Sequence, residues 1–412
     1  MAEPARAKKN PLLRTRLPLL PPSARSRSAH LLTAAAAIGR FDLPACTACG
    51  TFLWPMHEAC PKCLGDVALR PARQGAVLLA VTQAEVPAHN YFRERAPWHV
   101  GLVKMDCGPV ALAHVGPTLT SGSRLRLSLV LDRAGQAVLH AAPEQENSMG
   151  DDPQWQDMVA DPKGRRILIT DARHIAALPL AKALAAAGAA GIVAGVPEDW
   201  KPLAGQAALA AVPGLTLIPF DVTSDRSVED AARQIAGKIE ILINTSDHLR
   251  SSGIHAPSAA ADSRAMMETV SFGLMRLARV FGPALSARCA DGPRGAAAWV
   301  NVLSVFARVH PPALAGYAAA HAAALAFSHA LRADLAKGGI RLMTVLTGPT
   351  EDEWFQAFPP PRVTGRQLAD AIVHGLQRGL EEVVVGDVAQ DLLARLAENP
   401  KALERELADG RL

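Results

Sequence analysis

The spacing of hydrophobic and polar residues changes along the chain, and its middle part has the period of β-strands. Five short apolar runs separated by turns lie at 75–82, 99–106, 109–115, 124–131 and 137–141. The fourth run is the most regular, since every second residue from Leu125 to Leu131 is leucine. Five strands within about 70 residues predict a small closed or partly open β-barrel, such as an OB-fold.

From residue 166 onward, strand-like runs alternate with helical segments. The predicted strands are 166–170, 191–195, 215–220, 239–243, 297–303, 340–346 and 382–386, and the predicted helices are 177–189, 227–237, 263–287 and 317–336. Ser227 and Asp230 predict a capping box at the second helix, and Gly338 and Gly339 predict the end of the fourth. Alternating βα units predict a doubly wound parallel sheet of the Rossmann type.

Two compositional changes suggest where the domains begin and end. The first thirty residues carry seven positive charges and one negative charge, and 143–161 is acidic and aperiodic. The predicted organisation is multidomain: 1–40 a basic arm and short helix, 41–68 a metal-binding ribbon, 69–142 the barrel, 143–165 an acidic linker and 166–412 the α/β domain. An organelle targeting segment and an arm lying on a partner or neighbouring domain both fit the N-terminus.

Four of the six cysteines fall within one short segment. Cys46, Cys49, Cys60 and Cys63 form two C-x-x-C motifs ten residues apart. Two such turns can hold four thiolates tetrahedrally around Zn²⁺, and four protein ligands close the site, so we predict a structural zinc ribbon. Reduced thiols or a redox pair remain the alternative.

Composition excludes several classes of protein. Hydrophobic residues make up 49% and charged residues 20% of the 412, which is typical of a packed globular chain. No apolar run is long enough to predict a membrane span. A net charge of +4 is too balanced to indicate nucleic-acid binding by itself. Free thiols favour a reducing, cytoplasmic location.

Residues 30–145 resemble the zinc-ribbon and OB-fold proteins that accompany acyl-CoA enzymes. The resemblance rests on FDLPACTACG at 41–50, ACPKCLGD at 59–66 and GLVKMDCGPVALAHV at 101–115. It implies a thiolase-fold enzyme as partner and an acyl-CoA thioester as the ligand that the barrel helps to hold.

Residues 166–412 resemble the short-chain dehydrogenase/reductase family. The matching segments are FDVTSDRSVEDAARQ at 220–234, IEILINTSD at 239–247, GYAAAH at 316–321 and GIRLMTVLTGPTEDEW at 339–354. The resemblance implies an NAD(P) cofactor and a homo-oligomer. However, the family's T-G-x-x-x-G-x-G turn is altered at 170–177, where Asp171, Ile175 and Ala177 replace the glycines. We expect charge repulsion at Asp171 and a steric clash at Ile175 to oppose dinucleotide binding.

The catalytic positions implied by the resemblance are partly kept. Ser304 precedes Tyr317 by the family's spacing, and His321 stands where the family has lysine, on the same helical face as Tyr317. Asp221 and Asn244 occupy positions that line the cofactor site in the family. Each has a structural alternative: Ser304, Tyr317 and His321 as packing residues of a disused cleft, Asp221 as a turn cap, and Asn244 as a link between strands.

Three functional hypotheses follow. In the first, the chain is an accessory subunit that docks on a thiolase-fold enzyme and guides the CoA thioester, with the reductase-like domain as an inactive scaffold. In the second, it is an active NAD(P)-dependent 3-hydroxyacyl-CoA dehydrogenase or ketoacyl-CoA reductase. Nucleic-acid binding by the ribbon and barrel is the third, and the absence of a Lys/Arg stripe on the barrel disfavours it. Trp354, Phe355 and Phe358 are candidates to line an acyl pocket or an oligomer contact.

Overall fold

The N-terminal part consists of a helix, a two-stranded ribbon and a closed barrel. A computed structural model describes residues 18–23, 29–145, 152–290, 298–356 and 358–410, so most of the predicted basic arm lies outside the described residues. Helix α1 (Ala29–Ala37) precedes the antiparallel pair β1 (Asp42–Cys46) and β2 (Val67–Pro71). The barrel strands are β3 (Gly75–Ala84), β4 (Trp98–Met105), β5 (Val110–Val115), β6 (Arg124–Leu131) and β7 (Ala137–Pro143), and the short helix α2 (Asn90–Arg93) lies between β3 and β4.

The barrel confirms the alternation seen in the sequence. Its strand order is β3-β4-β5-β7-β6, it closes by pairing of β6 with β3, and β5 runs parallel to β7. Leu125, Leu127 and Leu131 of β6 are fully buried inside it. Phe41 and Leu43 of the ribbon belong to the same apolar cluster, so ribbon and barrel share one hydrophobic core.

The C-terminal part is a seven-stranded, entirely parallel sheet with helices on both faces. Its strands are β8 (Arg166–Ile169), β9 (Gly191–Val196), β10 (Leu215–Pro219), β11 (Ile241–Asn244), β12 (Ala298–Ser304), β13 (Arg341–Thr347) and β14 (Glu382–Val385), in the order β10-β9-β8-β11-β12-β13-β14. One face is covered by α4 (Ala177–Ala186), α5 (Gln206–Ala210) and α10 (Gly365–Arg378). The other is covered by α6 (Asp225–Ile235), α7 (Ala259–Met267), α8 (Gly273–Cys289), α9 (Ala315–Ala336), α11 (Asp387–Glu398) and α12 (Pro400–Ala408). The predicted Rossmann-like architecture is confirmed.

Local boundaries differ from the sequence expectation at two helices. The capping box predicted at Ser227 is wrong: the helix begins at Asp225, and its N-cap is Ser224, whose hydroxyl accepts the Ser227 N–H. The single helix expected over 263–287 is interrupted by a π-helical turn at Glu268–Phe272. Such turns insert one residue into the α-helical repeat, and the hydrophobic period does not reveal them.

The predicted linker contains a helix that packs between the two domains. In α3 (Pro153–Met158), Trp155 and Met158 are buried against Trp98 and Val130 of the barrel. The guanidinium of Arg341, at the start of β13, donates to the carbonyl oxygens of Met158 at 2.5 Å, Leu131 at 2.8 Å and Asp132 at 3.3 Å. The barrel is therefore attached to the sheet domain by side-chain and backbone hydrogen bonds. No helix within the described ranges is long and apolar enough to cross a membrane.

Candidate functional site

The ribbon brings the four predicted cysteines together. Their Sγ atoms all lie within 4.8 Å of one another, with 3.4 Å between Cys46 and Cys63 and 3.8 Å between Cys49 and Cys60. Four thiolates at about 2.3 Å from a tetrahedral Zn²⁺ lie about 3.8 Å apart, so the donor set fits zinc. Both of these close approaches join one motif to the other, which favours a shared metal over a redox pair within a single C-x-x-C.

The backbone of each turn is shaped to aim two thiols at the same point. The N–H of Cys49 donates to Cys46 Sγ, and that of Lys62 donates to Cys60 Sγ, each at 3.4 Å. A Cβ on Gly65 would lie 3.0 Å from the Ala48 side chain and 3.2 Å from Cys46 Sγ. A side chain at position 65 would therefore require the Ala48 side chain or the Cys46 thiol to shift by a few tenths of an ångström.

A second candidate site is a cleft of about 580 Å³ at the carboxyl ends of the parallel strands. It lies where the strand order reverses between β8 and β11, the position at which open α/β sheets bind ligands. Asp221, Ser304 and Tyr317 line it, whereas Asn244 and His321 do not. Phe355 and the half-exposed Trp354 also line it, and Phe355 contacts the Tyr317 ring.

The loop between β8 and α4 satisfies its own backbone N–H groups. Asp171 Oδ1 accepts the Arg173 N–H at 2.7 Å, and His174 Nδ1 accepts the Ala176 N–H at 3.2 Å. In a dinucleotide fold, N–H groups at this helix start bind the pyrophosphate. Burial, together with the smaller effect of the Asp247 and Asp221 carboxylates, raises the pKa of Asp171 to about 7, although the Arg173 N–H and guanidinium lower it.

Ile175 does not line the cleft, and the clash expected from its side chain stays a prediction. Its carbonyl oxygen faces Gly365 of α10 so closely that a Cβ there would collide with it. The Arg173 side chain lines the cleft and ties the loop after β9 to the loop between β8 and α4. It donates to the carbonyl oxygens of Pro197, Glu198, Lys201 and Pro202.

Asp247 lies at the centre of the polar network in the cleft. Its Oδ2 accepts the Tyr317 hydroxyl at 2.8 Å, and its Oδ1 lies 3.2 Å from His321 Nε2. Burial alone would raise the pKa of Asp247, but the His321 imidazole and the Tyr317 hydroxyl outweigh it and lower the pKa to about 2. Burial and the Asp247 charge together raise the pKa of Tyr317 well above its ordinary value. The Tyr317 proton is therefore held by a carboxylate.

Ser304 fixes the tautomer of His321. The Ser304 backbone N–H donates to His321 Nδ1 at 3.0 Å, so a neutral His321 carries its proton on Nε2 and donates it to Asp247. His321 is 1% exposed. It therefore links the Ser304 backbone to the Asp247 carboxylate and acts as a positioning residue.

Asp221 and Asn244 make the contacts of their structural alternatives. Asp221 Oδ1 accepts from the backbone N–H and hydroxyl of Thr223, capping the turn before α6. The Asn244 amide oxygen accepts the Thr170 hydroxyl and so links β11 to the end of β8. Asp247 was not predicted as a site residue. The available signal was an acidic residue at the last position of Asn244-Thr245-Ser246-Asp247, where the resembling family has glycine.

Replacing Asp247 with asparagine is expected to lower the pKa of Tyr317, because the negative charge beside its hydroxyl disappears while the side-chain volume is kept. The measurement is a spectroscopic pH titration of tyrosinate in a Tyr91→Phe background, which leaves Tyr317 as the single tyrosine. Asp221→Asn, in the same cleft, is the control and should leave the titration unchanged. An identical Tyr317 titration with and without Asp247→Asn would contradict the assigned hydrogen bond.

Comparison with known families divides the chain at the same place as the fold does. Residues 33–70 match the ChsH2 rubredoxin-like zinc ribbon domain, and residues 165–360 match the short chain dehydrogenase family. The ketoacyl reductase HetN of Nostoc sp. is 25% identical over 235 residues, which cover 54% of this chain and 78% of HetN. The short-chain dehydrogenase PC-15 of Penicillium crustosum is 31% identical over 149 residues. The match covers 34% of this chain and 51% of PC-15, so the chain spans about half the length of this relative.

Solved structures show the same likeness. A short chain dehydrogenase from Burkholderia cenocepacia J2315, crystallised in complex with NADP, is 33% identical with a TM-score of 0.53, covering 60% of this chain and 98% of that one. A short-chain dehydrogenase from Streptomyces avermitilis shares the fold at 21% identity and a TM-score of 0.50, with coverage of 60% and 98%.

Proposed function

The chain belongs to the short-chain dehydrogenase family through residues 165–360, and from this premise we propose that it is an accessory subunit of acyl-CoA metabolism. In this proposal the barrel is an OB-fold, which its strand order supports. The ribbon and the barrel dock on a thiolase-fold enzyme in the cytoplasm and guide the CoA thioester. The reductase-like domain serves as a scaffold without hydride transfer. The observation that carries this proposal is the hydrogen bond from Tyr317 to Asp247.

Two features of the cleft oppose hydride transfer. A catalytic tyrosine must donate its proton to the substrate oxygen, but Tyr317 donates to a carboxylate, and its raised pKa makes proton release less favourable. The N–H groups that would hold a pyrophosphate are bonded by Asp171 and His174. A dinucleotide would have to break these bonds and bring two phosphates next to Asp171.

The outer surface of the barrel supports the docking part of the proposal. Large apolar side chains are exposed on three adjacent strands: Leu79, Val81, Leu102, Val110 and Leu112. Leu102 and Leu112 are directly opposite each other in the β4–β5 pair, so they form one patch. Contiguous apolar patches on a folded surface mark interaction sites. On the reductase-like domain, exposed Phe272 and Met275 support a homo-oligomeric contact through α8.

Cofactor titration tests the scaffold assignment. We expect no saturable fluorescence enhancement of NADH or NADPH up to about 1 mM cofactor. A dissociation constant of 1 mM corresponds to about 4 kcal/mol of binding free energy, so any binding would be weaker than that. The Burkholderia cenocepacia dehydrogenase is the positive control, because it was crystallised with NADP. Saturable micromolar binding, with ketoacyl-CoA turnover that Tyr317→Phe abolishes, would overturn the proposal.

Loss of the barrel patch tests the docking assignment. Leu112→Asp, at a side chain that is 65% exposed, should abolish co-purification of a thiolase-fold enzyme from the native host, identified by mass spectrometry. Ile254→Asp, at a 74% exposed position on the reductase-like domain, should leave it unchanged. If the Leu112→Asp variant still retained the partner, docking through this face would be wrong. If the unaltered chain retained no thiolase-fold enzyme, the docking assignment itself would fail.

An active ketoacyl-CoA reductase is the second candidate, and the Ser304–Tyr317 pair favours it. Both residues line the cleft, and a hydrogen bond from Ser304 lowers the pKa of Tyr317 against the larger effects of burial and Asp247. This hypothesis requires that substrate binding displace Asp247 from the Tyr317 hydroxyl. Cofactor binding in the titration above would favour it.

A further inference from the structure

A separate cavity lies on the side of the barrel, away from the zinc ligands and from the reductase-like cleft. It has a volume of about 280 Å³ and lies between α2, the barrel wall, Met158 of α3 and the prolines at 21 and 22. Protein interiors contain few voids larger than a water molecule. Apolar cavities of roughly 150 Å³ already bind small hydrocarbons such as benzene.

Three aromatic side chains of the cavity wall, Tyr91, Phe92 and Trp98, are held in place by contacts with their neighbours. Phe92 packs edge-to-face on Trp98 with ring centres 5.0 Å apart, and Tyr91 packs on Phe92 at 5.1 Å. The Tyr91 hydroxyl is bonded to Asp157, and the Arg95 guanidinium lies 4.0 Å from the Tyr91 ring centre. These contacts preorganise the wall, which lowers the entropic cost of binding.

The polar groups of the wall leave one donor for a ligand. Trp98 Nε1–H donates to His114 Nδ1 at 2.9 Å, and burial lowers the pKa of His114 to about 4. The imidazole is therefore neutral at pH 7 and carries its proton on Nε2. Among the described residues, none accepts a hydrogen bond from that Nε2–H. The prolines have no N–H to add.

The same wall disfavours an anionic ligand. Pro21, Pro22, Phe92, Val138 and Met158 give it a largely apolar lining. Moving a carboxylate from water into such a lining costs free energy, because the charge loses its hydration. The hydrocarbon lining favours apolar carbon, and the His114 N–H favours a neutral oxygen acceptor.

We propose that this cavity binds a small, uncharged hydrocarbon molecule bearing one carbonyl oxygen, with His114 Nε2 as the hydrogen-bond donor to that oxygen. The carbonyl can belong to a free ketone or to the acyl end of a thioester. At about 30 Å³ per non-hydrogen atom, the volume holds about nine such atoms. The site is independent of the proposed thiolase partner, so either assignment can fail alone.

Calorimetric titration of the full zinc-loaded chain with 2-octanone tests the proposal. We expect saturable binding that weakens at least tenfold in Val138→Phe, because the added ring fills the cavity. Val86→Phe, at an 80% exposed position in the loop after β3, is the matched control and should bind as the unaltered chain does. Octanoate should bind at least tenfold more weakly than 2-octanone.

Infrared spectroscopy tests whether His114 donates a hydrogen bond to the ligand. The carbonyl stretching frequency of bound 2-octanone should fall below its value in hydrocarbon solvent, as a hydrogen bond from His114 requires. A competition experiment then identifies the source of the carbonyl. Displacement of 2-octanone by octanoyl-CoA but not by free CoA would assign the site to an acyl end, and failure to displace would assign it to a free ketone. No saturable binding, equal binding by Val138→Phe, or an unshifted carbonyl stretch would overturn the proposal.

Discussion

Replacing Cys60 with serine is expected to remove zinc from the chain and unfold the ribbon. The regular structure of the ribbon is limited to the short strand pair of β1 and β2. In small zinc sites of this kind, an apparent zinc-binding free energy of about 10–16 kcal/mol at pH 7 stabilises the folded state directly. Because Phe41 and Leu43 pack into the barrel core, loss of the ribbon should also lower the thermal stability of the barrel. The measurements are zinc content by mass spectrometry and thermal unfolding by calorimetry, with about one zinc per unaltered chain.

Cys107→Ser is the matched control for the zinc prediction. Cys107 is a half-buried free thiol outside the four-cysteine cluster, so its substitution should keep the metal and the unfolding temperature. Treatment of the unaltered chain with a strong chelator should reproduce the Cys60→Ser result. A chain that contains no zinc when purified, and whose unfolding the chelator does not change, would disprove the metal site.

Replacing Arg341 with leucine is expected to uncouple the barrel from the parallel sheet. The leucine fills part of the space but removes the guanidinium donor from the carbonyl oxygens of Met158 and Leu131. The Asp132 carbonyl oxygen still accepts the Gly135 N–H. Unsatisfied buried polar groups cost about 1–3 kcal/mol each, so two of them give an expected loss of about 2–6 kcal/mol. Calorimetry should then resolve two unfolding transitions where the unaltered chain shows one.

Arg366→Leu on α10 provides the comparison for this second prediction. The Arg366 side chain is 87% exposed and lies 3.7 Å from Asp370, a surface pair of small energetic value. Its substitution should change the unfolding free energy by less than about 0.5 kcal/mol. If Arg341→Leu unfolds in one transition at the original temperature, the hydrogen bonds of Arg341 do not hold the domains together.

In the reductase-like cleft, residues from several elements meet at one edge of the parallel sheet. β12 ends at Ser304, and α9 carries Tyr317 to the same cleft. Asp171 and His174 accept N–H groups of the loop between β8 and α4, and Asp247 accepts the Tyr317 hydroxyl. A ligand that uses these groups must first displace the existing hydrogen bonds.

Contacts between segments that are distant in the sequence are not visible in local patterns. The backbone of Ile175 packs against Gly365 of α10. Within the predicted linker 143–165, Trp155 and Met158 are buried against the barrel. A local pattern does not identify either packing partner.

The sequence by itself determined the elements and the metal site, because both are local. Period-two leucines, alternating βα runs and two C-x-x-C turns each specify structure within a few tens of residues, and the barrel strands, sheet strands and four-thiol cluster are found there. Only the tertiary structure decided the chemistry of the cleft. Asp247 and Tyr317 are 70 residues apart, and whether a carboxylate meets the tyrosine hydroxyl depends on how β11 and α9 pack. Burial then enlarges the pKa shifts of Asp247 and Tyr317, because electrostatic interactions and hydrogen bonds are stronger where water is excluded.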